Sequence, residues 1–209
     1  MTHHSSSASP ERKPPRADAQ RNRARILAAA EAVFAEKGPS ASTEEVAARA
    51  GVAIGTVFRH FPTKDDLLAA IMKGLRQRLI EEADALAGGG DPATALFAFF
   101  TFVVEQAAAT RTVADLLVRT GVAVRPDEPI QDLAQSLAEL LVQAQRAGAV
   151  RPDIRVAEVV ALLTAACHGA LSGAWDEDLR HRTVAIMFAG MRAANPEPSF
   201  SAGAEPGSR

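Results

Sequence analysis

The chain has 209 residues, 47% hydrophobic and 23% charged, a size and composition that suit one globular subunit or a small module joined to a larger one. Its single cysteine, Cys167, excludes an intrachain disulfide and a cysteine-based metal cluster, and fits a reducing cytoplasm. The net charge of -2 hides an asymmetry: residues 10–64 hold 10 basic and 6 acidic side chains, the remainder 13 and 19, which fits either a protein that touches a polyanion at its front end only or a chance imbalance.

Residues 1–18, rich in Ser, Pro and charge, are predicted to form a disordered basic arm. They lack the apolar core of a signal peptide, which supports a cytoplasmic location. Arg12, Lys13, Arg16, Arg21, Arg23 and Arg25 lead into the first helix, either as a solvated tail or as an arm that reaches DNA phosphate or the minor groove. From Ala19 the period is helical, with Ile26, Ala30, Val33 and Phe34 on one face, until Gly38-Pro39. Ser42 and Glu45 form the pattern of a capping box that opens a second short helix to Ala50. A third runs from Ile54 to Phe61. Asp65 opens a fourth, with Leu67, Leu68, Ile71, Leu75 and Leu79 along one side, up to the break at Gly88-Gly89-Gly90-Asp91-Pro92.

A fifth helix is expected over Ala93–Ala109, a short sixth over Val113–Gly121, and a loop over Arg125–Pro129. The seventh covers Ile130–Ala147, the eighth Ile154–Ser172 with Asp153 as its cap, and the ninth Glu177–Ala194, leaving 195–209 as a disordered tail. The most apolar stretch, Ala93 to Val104, is too short for a bilayer, which needs about 20 apolar residues, so no membrane association is expected. No strand is indicated, and the fold class is all-α.

The second and third helices carry the spacing of a helix-turn-helix. Two short helices that cross closely need a small side chain at the contact, here Ala47. The turn needs a residue that tolerates positive φ, here Gly51. The second helix packs back through an apolar residue, here Val57, and Val46, Ala50, Val52 and Phe61 complete a small core with Val33 and Phe34.

Residues 43–68, TEEVAARAGVAIGTVFRHFPTKDDLL, resemble the TetR family of bacterial regulators, and the likeness extends over roughly Ala19 to Leu79. The resemblance implies that residues 19–79 are a three-helix DNA-binding domain and residues 80–194 a second helical domain. It implies a homodimeric transcriptional repressor on double-stranded DNA, released from a palindromic operator by a small-molecule effector. It implies that Gly55 lets the recognition helix approach the DNA backbone and that Thr56 offers a hydroxyl to phosphate or base. Thr43, His60 and Lys64 are implied to contact phosphate. Ile54 and Arg59 fall at variable positions, so they are expected to contribute to sequence choice; Arg59 either pairs with guanine or contacts phosphate. Phe58 departs from the family's usual Tyr: it keeps packing and stacking on sugar but loses a hydroxyl bond to phosphate, worth about 1 kcal/mol.

Residues 91–192 resemble the SbtR-like C-terminal domain found on some TetR-family proteins, through DPATALFAFF at 91–100, Ala147-Gly-Ala-Val-Arg-Pro-Asp153 and Gly190-Met-Arg192. That resemblance implies a ligand cavity among the fifth to eighth helices and a dimer made by the eighth and ninth. Val156, Val159, Val160 and Leu163, and Val184, Met187, Phe188 and Met191, follow helical periods, while Leu162, Ala166, Ala185 and Ile186 lie off those faces. Two apolar faces suit a helix packed on its own subunit and on a partner, or one buried within a monomer. Ala165, Gly169, Ala170 and Gly190 allow close helix approach.

Candidate pocket residues are Phe97, Phe100, Gln106, Leu117, Arg119, His168 and Trp175, with Phe102, Leu116 and Cys167 beside them. An apolar or aromatic effector fits this set, and His168 reads first as a satisfied structural histidine and second as a ligand contact. An enzyme is not expected. Cys167 and His168 are helix neighbours pointing about 100° apart, and no phosphate loop, zinc signature or nucleophile elbow is present. The cluster Asp176-Glu177-Asp178 sits at a helix start, where carboxylates suit the dipole. No cofactor or metal site is expected. Two other readings stand beside the repressor: an effector-independent binder or activator, and a protein-interaction adaptor with a degenerate helix-turn-helix.

Overall fold

The computed structural model describes residues 15–119 and 133–193, and these form eight helices with no strand beyond one isolated antiparallel bridge, Val150 with Arg192. The helices are α1 (Pro15–Lys37), α2 (Thr43–Ala50), α3 (Ile54–His60), α4 (Lys64–Gly89), α5 (Ala95–Arg119), α6 (Ala134–Arg146), α7 (Val156–Leu171) and α8 (Glu177–Met191). The chain divides into two compact units, residues 15–78 with 106–119, and residues 79–105 with 133–193. Helices α4 and α5 each pass from one unit into the other.

In the first unit α1 buries Ile26, Ala29, Ala30, Val33 and Phe34, the face its periodicity predicts. Val46, Ala47 and Ala50 of α2, Val57 of α3, Phe61, and Leu67, Leu68 and Ile71 of α4 close on it, with Val52 packed at the edge. Val113 and Leu117 of α5 complete this core. In the second unit the core comprises Leu79 and Ala83 of α4, Leu96, Phe99, Phe100, Val103 and Val104 of α5, and Leu137, Leu140 and Leu141 of α6. It continues with Val159, Leu163, Ala166, Cys167 and Ala170 of α7 and Val184 and Met191 of α8.

Several expectations change. The predicted fifth and sixth helices are one, α5, because Thr110 Oγ1 donates to the Gln106 carbonyl at 2.7 Å and so stays satisfied inside a helix. Helix α4 continues through Gly88 and Gly89, and the break comes at Gly90 and Asp91. Helix α1 begins at Pro15, inside the expected arm; proline suits a first turn, where its missing N–H costs nothing. Asp153 does not cap α7, because Arg151 takes its carboxylate through Nε at 3.0 Å and Nη2 at 2.7 Å. The turn before α7 is held instead by the Arg155 N–H donating to Glu158 Oε2 at 2.6 Å. Residues 1–14, the loop at 125–129, Ile130 and the tail at 195–209 lie outside the described residues.

Candidate nucleic-acid interface

The start of α2 is fixed by a complete capping box. Glu45 N–H donates to Ser42 Oγ at 3.2 Å, and Ser42 N–H donates to Glu45 Oε2 at 3.0 Å. The helix ends at Gly51, whose φ of 64° lies in the left-handed region that favours glycine. Its N–H closes the last turn on Ala47 and Ala48. Ala47 and Val57 are 4% and 1% exposed, which places the small residue and the returning apolar residue at the crossing. The helix-turn-helix core therefore forms as its spacing requires.

What this scaffold presents is α3. Ile54, Gly55, Phe58 and Arg59 are exposed; Thr56 and His60 are half-buried. Gly55 has no strain to relieve, and a Cβ built on it would meet nothing within 4 Å. The protein's own packing therefore does not require glycine there, and the open space is outside the chain. Arg59 has no acidic partner among the described residues, whereas Lys37 and Arg49 nearby in sequence are tied to Glu45 at 2.6 Å and Glu36 at 2.5 Å. Those bonds hold the Glu45 and Glu36 carboxyls below their ordinary range, through Lys37 and Arg49 respectively. Thr43 is half-buried at the head of α2, with Oγ1 3.5 Å from Glu44 Oε2.

Lys64 has a role the sequence reading did not find. Its Nζ donates to the Ala41 carbonyl at 2.8 Å and sits 5.3 Å from the Phe34 ring centre. It ties the start of α4 to the turn before α2, and an ammonium has further N–H donors beyond that one bond. Likewise Arg23 lies over the Phe61 ring at 5.1 Å, so this member of the basic run is placed on α1 against the module. Arg21 and Arg25 bond Asp18 and Asn22 along the same helix.

The seven candidate pocket residues divide between the units. Gln106, Leu117 and Arg119 belong to the first, where Leu117 is 2% exposed within the core and Arg119 is exposed. Leu116 packs against the same core. Phe97, Phe100, His168 and Trp175 belong to the second. Phe97 and Phe100 pack on Phe188 with ring centres 4.8 and 5.3 Å apart, and Phe102 is half-buried. His168 is exposed, and its Nδ1 donates to the Thr164 carbonyl at 2.9 Å. Trp175 lies on Gly169: a Cβ there would come within 2.4 Å of the indole. That glycine thus makes room for the chain's own Trp175. Cys167 is buried, which pushes its thiol up to about 12.

A hollow of about 130 Å³ in the second unit is lined by Thr101, Glu105, His181, Val184, Ala185 and Phe188. Glu105 is its charged centre. Arg180 Nε and Nη2 both donate to it at 2.9 Å, and His181 Nε2 lies 3.1 Å away. The Arg180 guanidinium, and less so His181, hold the Glu105 carboxyl below its ordinary value. These residues are 75 and 76 positions apart from Glu105, so no local spacing announces them. Asp176 caps α8, accepting from the Leu179 N–H at 2.8 Å, as the helix-start reading of the acidic cluster requires.

Comparison with known proteins matches residues 26–71 to the family model "Bacterial regulatory proteins, tetR family" and residues 91–193 to "Transcriptional regulator SbtR-like, C-terminal domain". A crystal structure of a TetR transcription regulatory protein from Mycobacterium vanbaalenii is 38% identical, covers 86% of this chain and all of its own, and superposes with a TM-score of 0.68. The HTH-type transcriptional regulator UidR of Escherichia coli K12 is 28% identical over 189 residues, 84% of this chain and 92% of its own. A gamma-butyrolactone receptor (ArpA-like protein) of known structure is 26% identical, with 82% of this chain and 96% of its own covered and a TM-score of 0.52. No described helix is long and apolar enough to cross a membrane. The all-helical fold, the helix-turn-helix and these matches together identify the chain as a member of the TetR family of bacterial DNA-binding transcriptional regulators, a non-enzymatic family.

Proposed function

We propose that the protein is a cytoplasmic, homodimeric repressor that holds a palindromic operator through α3 of each protomer and releases it when a small apolar or aromatic molecule binds the second unit. In this reading Gly55 allows close approach to the DNA backbone. Thr43, Thr56, His60 and the remaining N–H groups of Lys64 bind phosphate, and Ile54, Phe58 and Arg59 face the bases and sugars. The recognition helices of a two-fold dimer enter major grooves about 34–36 Å apart, or at another spacing the dimer sets. The observation that carries the reading is Gly55: a glycine in a helix, exposed, with free space where its Cβ would be, on the same short helix as Arg59, which has no acidic partner among the described residues.

The dimer is assigned to α7 and α8, the predicted eighth and ninth helices. Each buries one face on its own unit and leaves small or apolar residues exposed on the other, Ala161 and Ala165 on α7, and Leu179, Ile186, Ala189 and Gly190 on α8. For the effector, the small-molecule receptor among the structural relatives supports a ligand-responsive second unit, and the hollow beside Phe188 and Glu105 is a place for it. Because α4 and α5 each belong to both units, a ligand that shifts either helix acts on the DNA-binding unit through continuous backbone. It releases DNA only by preferring the non-binding state.

Gly55→Ala tests the reading. Alanine is the better helix former by about 0.5–1 kcal/mol, so the variant should melt at or above the wild-type temperature. It should nonetheless lose at least tenfold in affinity for the operator, measured by fluorescence anisotropy at two salt concentrations. Unchanged binding by the folded variant would show that DNA does not approach α3 there.

A further inference from the structure

Two large apolar side chains stand exposed on a helix of seven residues. Ile54, the first residue of α3, is 37% exposed, and Phe58, four residues on, is 44% exposed. Residues four apart on a helix share a face. The opposite side of α3 is already occupied: Val57 is 1% exposed and sits in the first unit's core, which closes through Val57 and Phe61 without Ile54 or Phe58. Fold stability therefore does not explain the pair, and a helix that met phosphates alone would have no use for it.

The chemistry of the major groove supplies a use. Each base edge there offers donors and acceptors, and only thymine adds an apolar group, its C5 methyl. The N-terminal residues of a recognition helix are those that contact base edges, which is where Ile54 stands. We propose that Ile54, with Phe58 one turn behind it, reads thymine methyl groups in each operator half-site, so that part of the sequence choice is apolar contact rather than hydrogen bonding. This rests on the DNA-binding reading given above and specifies what that interface selects. Arg59, on the same helix, is left to the hydrogen-bonding positions.

The test begins with full-length protein selecting duplexes from a random-sequence pool. Anisotropy is then measured on the selected duplex and on copies in which each thymine in turn becomes uracil, a change that removes the methyl and leaves the pairing edge. One or two uracils per half-site should each weaken binding about three- to fivefold, the effect of one methyl-sized group withheld from burial. Ile54→Ala should bind the thymine duplex more weakly by a similar factor and should no longer distinguish thymine from uracil at that position. Ile54 is exposed, so the variant should keep the wild-type melting temperature; if it does not, the wild-type uracil series decides alone. Equal binding to every uracil duplex, or a selected half-site without thymine, would overturn the proposal while leaving DNA binding intact. Selection of no duplex at all would overturn both.

Discussion

The two units differ in what their candidate contact helices present to solvent. In the first, Lys37, Arg49 and Arg78 are tied to Glu45, Glu36 and Glu31, and this leaves Arg59 and His60 on α3 without an acidic partner among the described residues. In the second, Arg151, Arg155, Arg180, His181 and Arg182 all lie against carboxylates, and what stands out into solvent is Leu179 at 45% and Ile186 at 73% exposure. An arginine without an acidic partner among the described residues, on the same short helix as an open glycine, suits a polyanion. Exposed aliphatic residues on α8, a helix whose Arg180, His181 and Arg182 are ion-paired, suit another protein surface. The difference teaches that DNA contact and self-association can be broken separately, and the variants below are chosen to do so.

The largest effect is expected from Ile186→Glu. If α7 and α8 form the dimer, the new carboxylate must be buried without a partner, at a cost of several kcal/mol. Sedimentation velocity should then show monomer at micromolar concentration, with the melting curve of the first unit retained. Operator binding should fall by at least a hundredfold, because one recognition helix is left to hold a two-fold site. A dimer that persists in this variant would move the interface off α8.

The converse is Ala47→Leu. Ala47 is 4% exposed where α2 meets its neighbours, and overpacking a closed site costs about 1–3 kcal/mol. Operator binding should be lost while the protein stays dimeric, since no residue assigned to the dimer lies in the first unit. Loss of the dimer together with DNA binding would mean that the two roles are not divided between the units in this way.

The first unit was legible because its signals are local. Ser42 and Glu45 are three residues apart, Ala47 and Gly51 four, and each performs a geometric task that few residue types can do. The part of that unit that stayed hidden is tertiary. Lys64 reads only as a phosphate contact until the fold brings the Ala41 carbonyl beside it, and Leu117 reads as a pocket residue until α5 delivers it to the first core. In the second unit the helices were visible from period and breakers, but the join at Thr110 depended on a hydroxyl folding back on its own helix. Gly169 looked like a helix-crossing residue and is occupied by Trp175, a contact made by a loop. The Glu105, Arg180 and His181 cluster could not be read at all, because it unites α5 with α8 across about 75 residues.

That cluster gives the smallest and most local prediction. Arg180 is 12% exposed and grips Glu105 with two bonds, while Glu105 itself is 35% exposed, so solvent screening limits the pair to about 1 kcal/mol. Because the folded protein holds the Glu105 carboxyl below its ordinary value of 4.5, the contribution is complete above that pH and is lost as falling pH protonates the folded carboxylate. Glu105→Gln should therefore melt a few degrees below wild type at pH 6, and the gap should close as the pH is lowered towards 3. Thermal melts of the two proteins across that window check it. A gap that stays constant to pH 3 would mean that the glutamate matters for its shape or its neutral hydrogen bonds. A gap that closes would identify it as an electrostatic tie between α5 and α8, at the edge of the hollow where the effector is proposed to bind.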